Sequence, residues 1–140
     1  MKVLKAIIWI LVFLLFVAGF LYVFMYLAER DRFAKFEQEY TDYVEGNGSV
    51  GNVTWAGKVL DVDRKHRELL IQAYRFRKPV EGMNFIASNE GSDWTINVKE
   101  GDWVEIKGFL SGFVGDLPLV RTEFFGNWIY FYYDFGLKPD

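Results

Sequence analysis

The spacing of hydrophobic positions changes twice along the chain. From Ala6 to Ala28 the sequence reads AIIWILVFLLFVAGFLYVFMYLA, 23 residues without a charge, and so offers no polar face to water. At 1.5 Å per residue this run makes ~34 Å of helix, enough to cross a ~30 Å hydrocarbon core. A cleaved signal peptide has a shorter apolar stretch, ~7 to 15 residues, and a small-x-small cleavage site, whereas this one is longer and runs on into YLAERDRF. The expectation is an uncleaved transmembrane anchor over residues 1–28, with Trp9, Tyr22 and Tyr26 placed as interfacial aromatics. Lys2 and Lys5 at one end face Arg30, Arg32 and Lys35 at the other, so charge does not fix the orientation. A short basic tail ahead of a first apolar run favours a signal anchor in the cell membrane, single-pass, with the soluble domain extracytoplasmic (periplasmic or external).

From residue 29 the pattern becomes amphipathic. Phe33, Phe36, Tyr40 and Tyr43 recur at spacings of three and four on an otherwise charged helix, forming an a/d stripe two heptads long. The stripe can pack on the chain's own domain, lie at the headgroups or meet a partner helix. Gly46 suits the left-handed stop of that helix and Gly48 loosens the link, giving a juxtamembrane helix and linker over residues 29–50.

From Gly51 the period drops to two. Val53, Trp55, Gly57 and Val59 alternate with Thr54, Ala56 and Lys58, and the inward set then switches face between Gly57 and Leu60, which calls for a bulge. Asp63 to Arg67 is a polar turn, and a second strand covers Glu68 to Arg77 before Pro79, Glu81 and Gly82 break it. A third covers Met83 to Ser88, and a short segment runs from Trp94 to Val98. Lys99-Glu100-Gly101-Asp102 reads as a hairpin turn into a strand whose Val104, Ile106, Gly108 and Leu110 point inward while Trp103, Glu105, Lys107 and Phe109 point out. After Gly115-Asp116-Leu117-Pro118 a last strand covers Leu119 to Phe125.

Five to six short strands without a helical period imply an all-β small barrel over residues 51–126, preceded by one long N-terminal helix. WAGKVLDVD, ELLIQA, VKEGDWVEIKGFLSG and LPLVRTEFF together resemble an oligonucleotide/oligosaccharide-binding (OB) fold. The resemblance rests on a glycine near the bend of the first strand and on Val98, Gly101, Asp102, Val104, Ile106 and Gly108 as the fourth-strand element. It implies a fold and not an activity, because this barrel carries many unrelated functions. The helix usually found between the third and fourth strands is not evident, which leaves an SH3-like barrel as the alternative. Membrane-anchored proteins with this barrel include periplasmic haem chaperones that hold haem through a histidine near the carboxyl end. Here that end reads FGNWIYFYYDFGLKPD, and the single histidine, His66, sits in a turn. No cofactor is expected.

Without cysteine and with one histidine, the chain has no basis for a thiol nucleophile, a catalytic triad or a zinc site, and an enzyme is not expected. Net charge is −3, yet Lys58 to Lys78 carries seven Lys/Arg against three Asp/Glu. On the strand pair that usually forms the ligand face of the resembled fold, Tyr74, Arg75, Phe76, Arg77 and Lys78 combine rings with positive charge, as a ligand or partner face requires. The aromatic tail over residues 127–140, with Trp128, Tyr130 and Tyr132 on one strand face, is more apolar than a small barrel can bury and is a candidate docking segment. The first functional reading is a membrane-anchored, non-catalytic β-barrel module that recognises another membrane or envelope protein or takes part in assembling an envelope complex. The alternative is a membrane-tethered binder of single-stranded nucleic acid or anionic polysaccharide. The two differ in their response to salt.

Overall fold

The computed structural model describes residues 1–46, 51–75, 78–89 and 98–127, the side chains of 124–127 excepted. The linker glycine Gly48, the segment Trp94 to Asn97, Phe76, Arg77 and the tail residues Trp128, Tyr130 and Tyr132 lie outside the described residues.

One continuous helix, α1 (Lys2–Glu45), runs through both the apolar and the amphipathic segments. It has no internal proline and ends where Gly46 turns left-handed (φ 72°, ψ 18°), its N–H returning to Asp42 O and Tyr43 O, as the αL stop does. An 18-residue window of the first half reaches a mean hydropathy of 2.9 with none of it buried against the rest of the chain. That half is long and apolar enough to span a membrane. Burial begins at Glu29 and continues at Phe33, Phe36 and Tyr40, spacings that place all four on one helix face.

Five strands follow: β1 (Asn52–Asp63), β2 (Glu68–Arg75), β3 (Lys78–Ser88), β4 (Trp103–Val114) and β5 (Leu117–Asn127). They close into a barrel in the order β1-β2-β3-β5-β4. Every neighbouring pair is antiparallel except β3 with β5, where Ile86 to Ser88 run parallel to Leu119 to Arg121. This is the five-stranded OB-like arrangement and not the SH3-like alternative. β1 is shared between both halves: its first part pairs with β4 (Trp55 opposite Ile106) and its second with β2 (Val62 opposite Leu69). The register slips between Val59 and Asp61, at the expected change of face. Val104, Ile106 and Gly108 point inward from β4, while Lys107 and Phe109 are exposed.

Two strands start earlier than the sequence reading placed them. β3 starts at Lys78 rather than Met83: Pro79 pairs with Tyr74 near the start of the strand, where a missing N–H costs little, and Gly82 takes the positive φ (79°) within it. β5 starts at Leu117 rather than Leu119, because Gly115 and Asp116 alone make the turn between the paired Val114 and Leu117, with Gly115 at φ 62°. The Lys99–Asp102 turn docks on β1, with Gly101 N donating to Val59 O and Val59 N to Asp102 O.

Candidate binding surfaces

The second half of α1 completes the core. Phe36 is 2 % exposed and meets both Trp55 of β1 (centroids 5.1 Å apart, planes at 80°) and Phe85 of β3 (6.1 Å). Tyr40 lies 5.8 Å from Trp55, and its hydroxyl donates to Asn84 O at 2.7 Å. Tyr43 stacks on Phe113 at 5.0 Å, and its hydroxyl accepts from Gly112 N at 2.6 Å. Gly112 sits where the β4–β5 register slips, so the tyrosine serves a backbone N–H at an interruption of the ladder. The stripe therefore packs on the chain's own barrel.

The half-buried Glu39 carboxyl is held above its usual range by burial, against the lowering influence of Lys35 and of the Trp55 side chain.

Glu29, which the sequence reading did not single out, and Arg32, named there only as a charge flanking the apolar run, extend this seam toward the apolar half. The fully buried Glu29 carboxylate accepts two bonds from the Arg32 guanidinium, both at 2.8 Å, and Arg32 donates a third to Tyr74 O at 2.9 Å. The signal was present: Glu29 lies four residues before Phe33, on the stripe itself, with Arg32 three residues after it.

These contacts orient the barrel on the helix. β2 ends beside Arg32, where Tyr74 O is bonded, and β3 sets out from Phe33 and passes Tyr40 at Asn84. β3 thus runs in the direction of α1, away from the apolar segment, and β2 runs toward it. The β2–β3 end, with Arg75 and Lys78, lies beside the first polar turns of α1. The β1–β2 turn lies at the opposite end of β2, seven residue steps or ~23 Å away.

This placement divides the candidate ligand face. Tyr74 is buried, with its ring edge-on to Trp103 at 4.8 Å, so it cannot serve as an exposed stacking platform; that part of the sequence reading is corrected. Arg75 and Lys78 are exposed, and the Arg75 guanidinium stands 5.6 Å from the Phe33 ring centroid. They border a groove of about 690 Å³ lined also by Phe33, Glu37, Pro79, Val80 and Glu81.

Two further surfaces stand out. In the β1–β2 turn Arg64, Lys65, His66 and Arg67 are consecutive and all exposed. Arg64 donates to Val98 O at 3.0 Å, and Asp63 binds the His66 ring (2.8 Å) and backbone N–H (3.1 Å). The ring bond and the charge of Asp63 hold the His66 pKa above its usual value, and the backbone and ring bonds together hold that of Asp63 below. On the β4–β5 hairpin Phe109, Phe113 and Val114 are 43 %, 48 % and 40 % exposed. Among the described residues no group of three or more His, Cys, Asp or Glu side chains is arranged to hold a metal ion.

No family model matches the chain, and no curated protein matches it. Solved structures similar to it include one of the S. pombe Stn1-Ten1 complex, at 12 % identity over 63 % of this chain and 65 % of that one, with a TM-score of 0.46. Another is a Replication Protein A heterotrimer bound to single-stranded DNA (12 % identity, 64 % and 67 % covered, TM-score 0.43). A third is a small single-stranded DNA-binding protein from Streptomyces coelicolor (13 %, 56 % and 92 %, TM-score 0.40). The chain spans 65 % of the length of the first. Matches this distant concern fold alone, and the OB-like assignment rests on the strand order above.

Proposed function

We propose that this chain is a membrane-tethered, non-catalytic binding module that takes an anionic polymer, single-stranded nucleic acid foremost, on the end of its barrel away from the bilayer. The observation that carries this reading is the exposed run Arg64, Lys65, His66 and Arg67, at the end of β2 opposite the apolar helix. Backbone neutralisation needs clustered, exposed cations of this kind. The order of the two functional readings is therefore reversed from that drawn from sequence, and the residues proposed to hold the polymer move from Tyr74–Lys78 to the β1–β2 turn. The anchor supports a single-pass location with the barrel on one side of the membrane, and the extracytoplasmic side remains our proposal for it.

A protein partner is the second reading, favoured by the exposure of Phe109, Phe113 and Val114 on the β4–β5 hairpin, since exposed apolar surface on one element marks interaction sites.

The full chain in neutral nanodiscs, titrated with labelled single-stranded DNA at two salt concentrations, tests the proposal. Three neutralised phosphates give a loss of about 20-fold between 50 and 200 mM salt, and Arg64→Gln with Lys65→Gln and Arg67→Gln removes most of the binding. Absent or salt-insensitive binding refutes it.

A further inference from the structure

Arg75 and Lys78 lie ~23 Å from the cations assigned to the polymer, beside the point where α1 turns from apolar to polar. We infer that the β2–β3 end of the barrel is a second contact with the bilayer, in which Arg75 and Lys78 engage anionic lipid headgroups and fix the tilt of the barrel over the membrane. The inference rests on the reading of α1 as an anchor.

The order of charges along two elements carries it. On α1, Phe33 precedes Glu37, and on β3, Lys78 precedes Glu81; both elements run away from the apolar segment. In the groove they share, the cations Arg75 and Lys78 therefore stand on the side of the bilayer, and the carboxylates Glu37 and Glu81 on the side of water. Arg30 and Asp31, at the same level on α1, face each other at 3.5 Å and offset one another. The Glu29–Arg32 pair, bonded to Tyr74 O, ties the end of β2 to the helix turn leaving the membrane, so the cations stay at that height. Pro79 is exposed and Val80 half-exposed between the two pairs of charges, which gives the edge apolar surface to set against the interface. Cations at the surface of an anionic bilayer each contribute about fivefold in affinity and are screened within about a Debye length.

The chain contains no cysteine, so single labels are unambiguous. A fluorophore is placed on Val80→Cys, on Lys65→Cys at the opposite end of the barrel, or on Phe16→Cys within the apolar helix, each in the otherwise intact chain in nanodiscs. Nitroxide lipids carry the quencher at the headgroup or in the acyl chain. At position 80 we expect headgroup quenching that rises severalfold when about 30 % of the phosphatidylcholine is replaced by phosphatidylglycerol and falls back in ~0.5 M salt or in Arg75→Gln/Lys78→Gln. Position 65 should respond to neither change. The salt arm needs no charge substitution, so the result does not depend on the double variant folding. Quenching at position 80 that ignores phosphatidylglycerol, or equals that at position 65, overturns the inference. So does single-stranded DNA binding that is lost in Arg75→Gln/Lys78→Gln. Failure of acyl-chain quenching at position 16 instead overturns the anchor reading beneath it.

Discussion

The Phe36 ring of α1 meets the Trp55 indole of β1 edge-on, at 5.1 Å and 80°, within a core that neither the helix nor the barrel completes alone. Each ring is almost fully buried, and edge-to-face pairs add about 0.5 to 1.5 kcal/mol beyond the area they bury. Phe36→Ala should therefore cost ~3 to 5 kcal/mol in barrel stability. Ala34→Ser, exposed on the same turn, should cost under about 0.5 kcal/mol. Denaturant titration of the full chain in mild detergent measures both, and equal midpoints for the two variants would remove the helix from the core.

The Glu29–Arg32 pair makes an asymmetric prediction. Arg32→Ala leaves a fully buried carboxylate without its guanidinium and should destabilise by ~3 to 5 kcal/mol. Replacing the pair together, Glu29→Met with Arg32→Leu, removes the charge and its desolvation at once and should be much milder. A double-mutant cycle read by thermal unfolding checks this, and additive losses would deny the coupling.

Gly57 and Gly108 are fixed by close backbone approach. A Cβ on Gly57 would press against the Gln72 carbonyl of β2, and one on Gly108 against the Arg121 carbonyl of β5. Neither backbone can yield without opening the barrel, so Gly108→Ala should lower the unfolding midpoint more than Ala73→Gly within β2, which costs only about 1 kcal/mol of backbone entropy and lost packing. Circular dichroism melts of the two variants decide the order.

The Asp63–His66 contact predicts a pH dependence of defined sign. The His66 pKa is raised above its 6.5 reference by the hydrogen bond its ring donates to Asp63, and the Asp63 pKa is lowered below 3.8 by the bonds it accepts from the His66 backbone and ring. The histidine's stabilising share is complete below its unfolded pKa and is lost as pH rises through the folded one. The aspartate's is complete above its unfolded pKa and is lost as pH falls through the folded one. The turn is tightest between the two unfolded values. Both groups are at the surface, so the energy is small, but the His66 ring resonances should titrate above 6.5 and return toward it in Asp63→Asn. Under the proposed function, DNA affinity should weaken as pH rises through the His66 transition.

Much of the fold was legible in local pattern. The alternation of Val104, Ile106 and Gly108 specified a face because one side of that strand is buried and a slip of one residue would reverse it. The change of face after Gly57 marked the bulge, and Gly46 marked the helix stop. What local pattern could not give was the tertiary placement. Pro79 reads as a breaker, yet it is tolerated near the start of β3 opposite Tyr74. Tyr74 reads as a ligand ring because burial by Trp103, 29 positions along the chain, has no local signature. Glu29 is passed over because an acidic residue is almost never buried unless paired, and its partner Arg32 gains its third bond only from a strand 42 residues away.

Packing of Phe36 and Tyr40 onto Trp55 and Phe85 joins α1 and the barrel in one body. This is tested most directly by double electron–electron resonance between spin labels at Thr41→Cys on α1 and Asp116→Cys in the β4–β5 turn, in the full chain in nanodiscs. A single narrow distance distribution that broadens in Phe36→Ala is the expected result. A broad distribution in the otherwise unaltered chain would mean that the barrel swings freely from its helix, and would contradict the account.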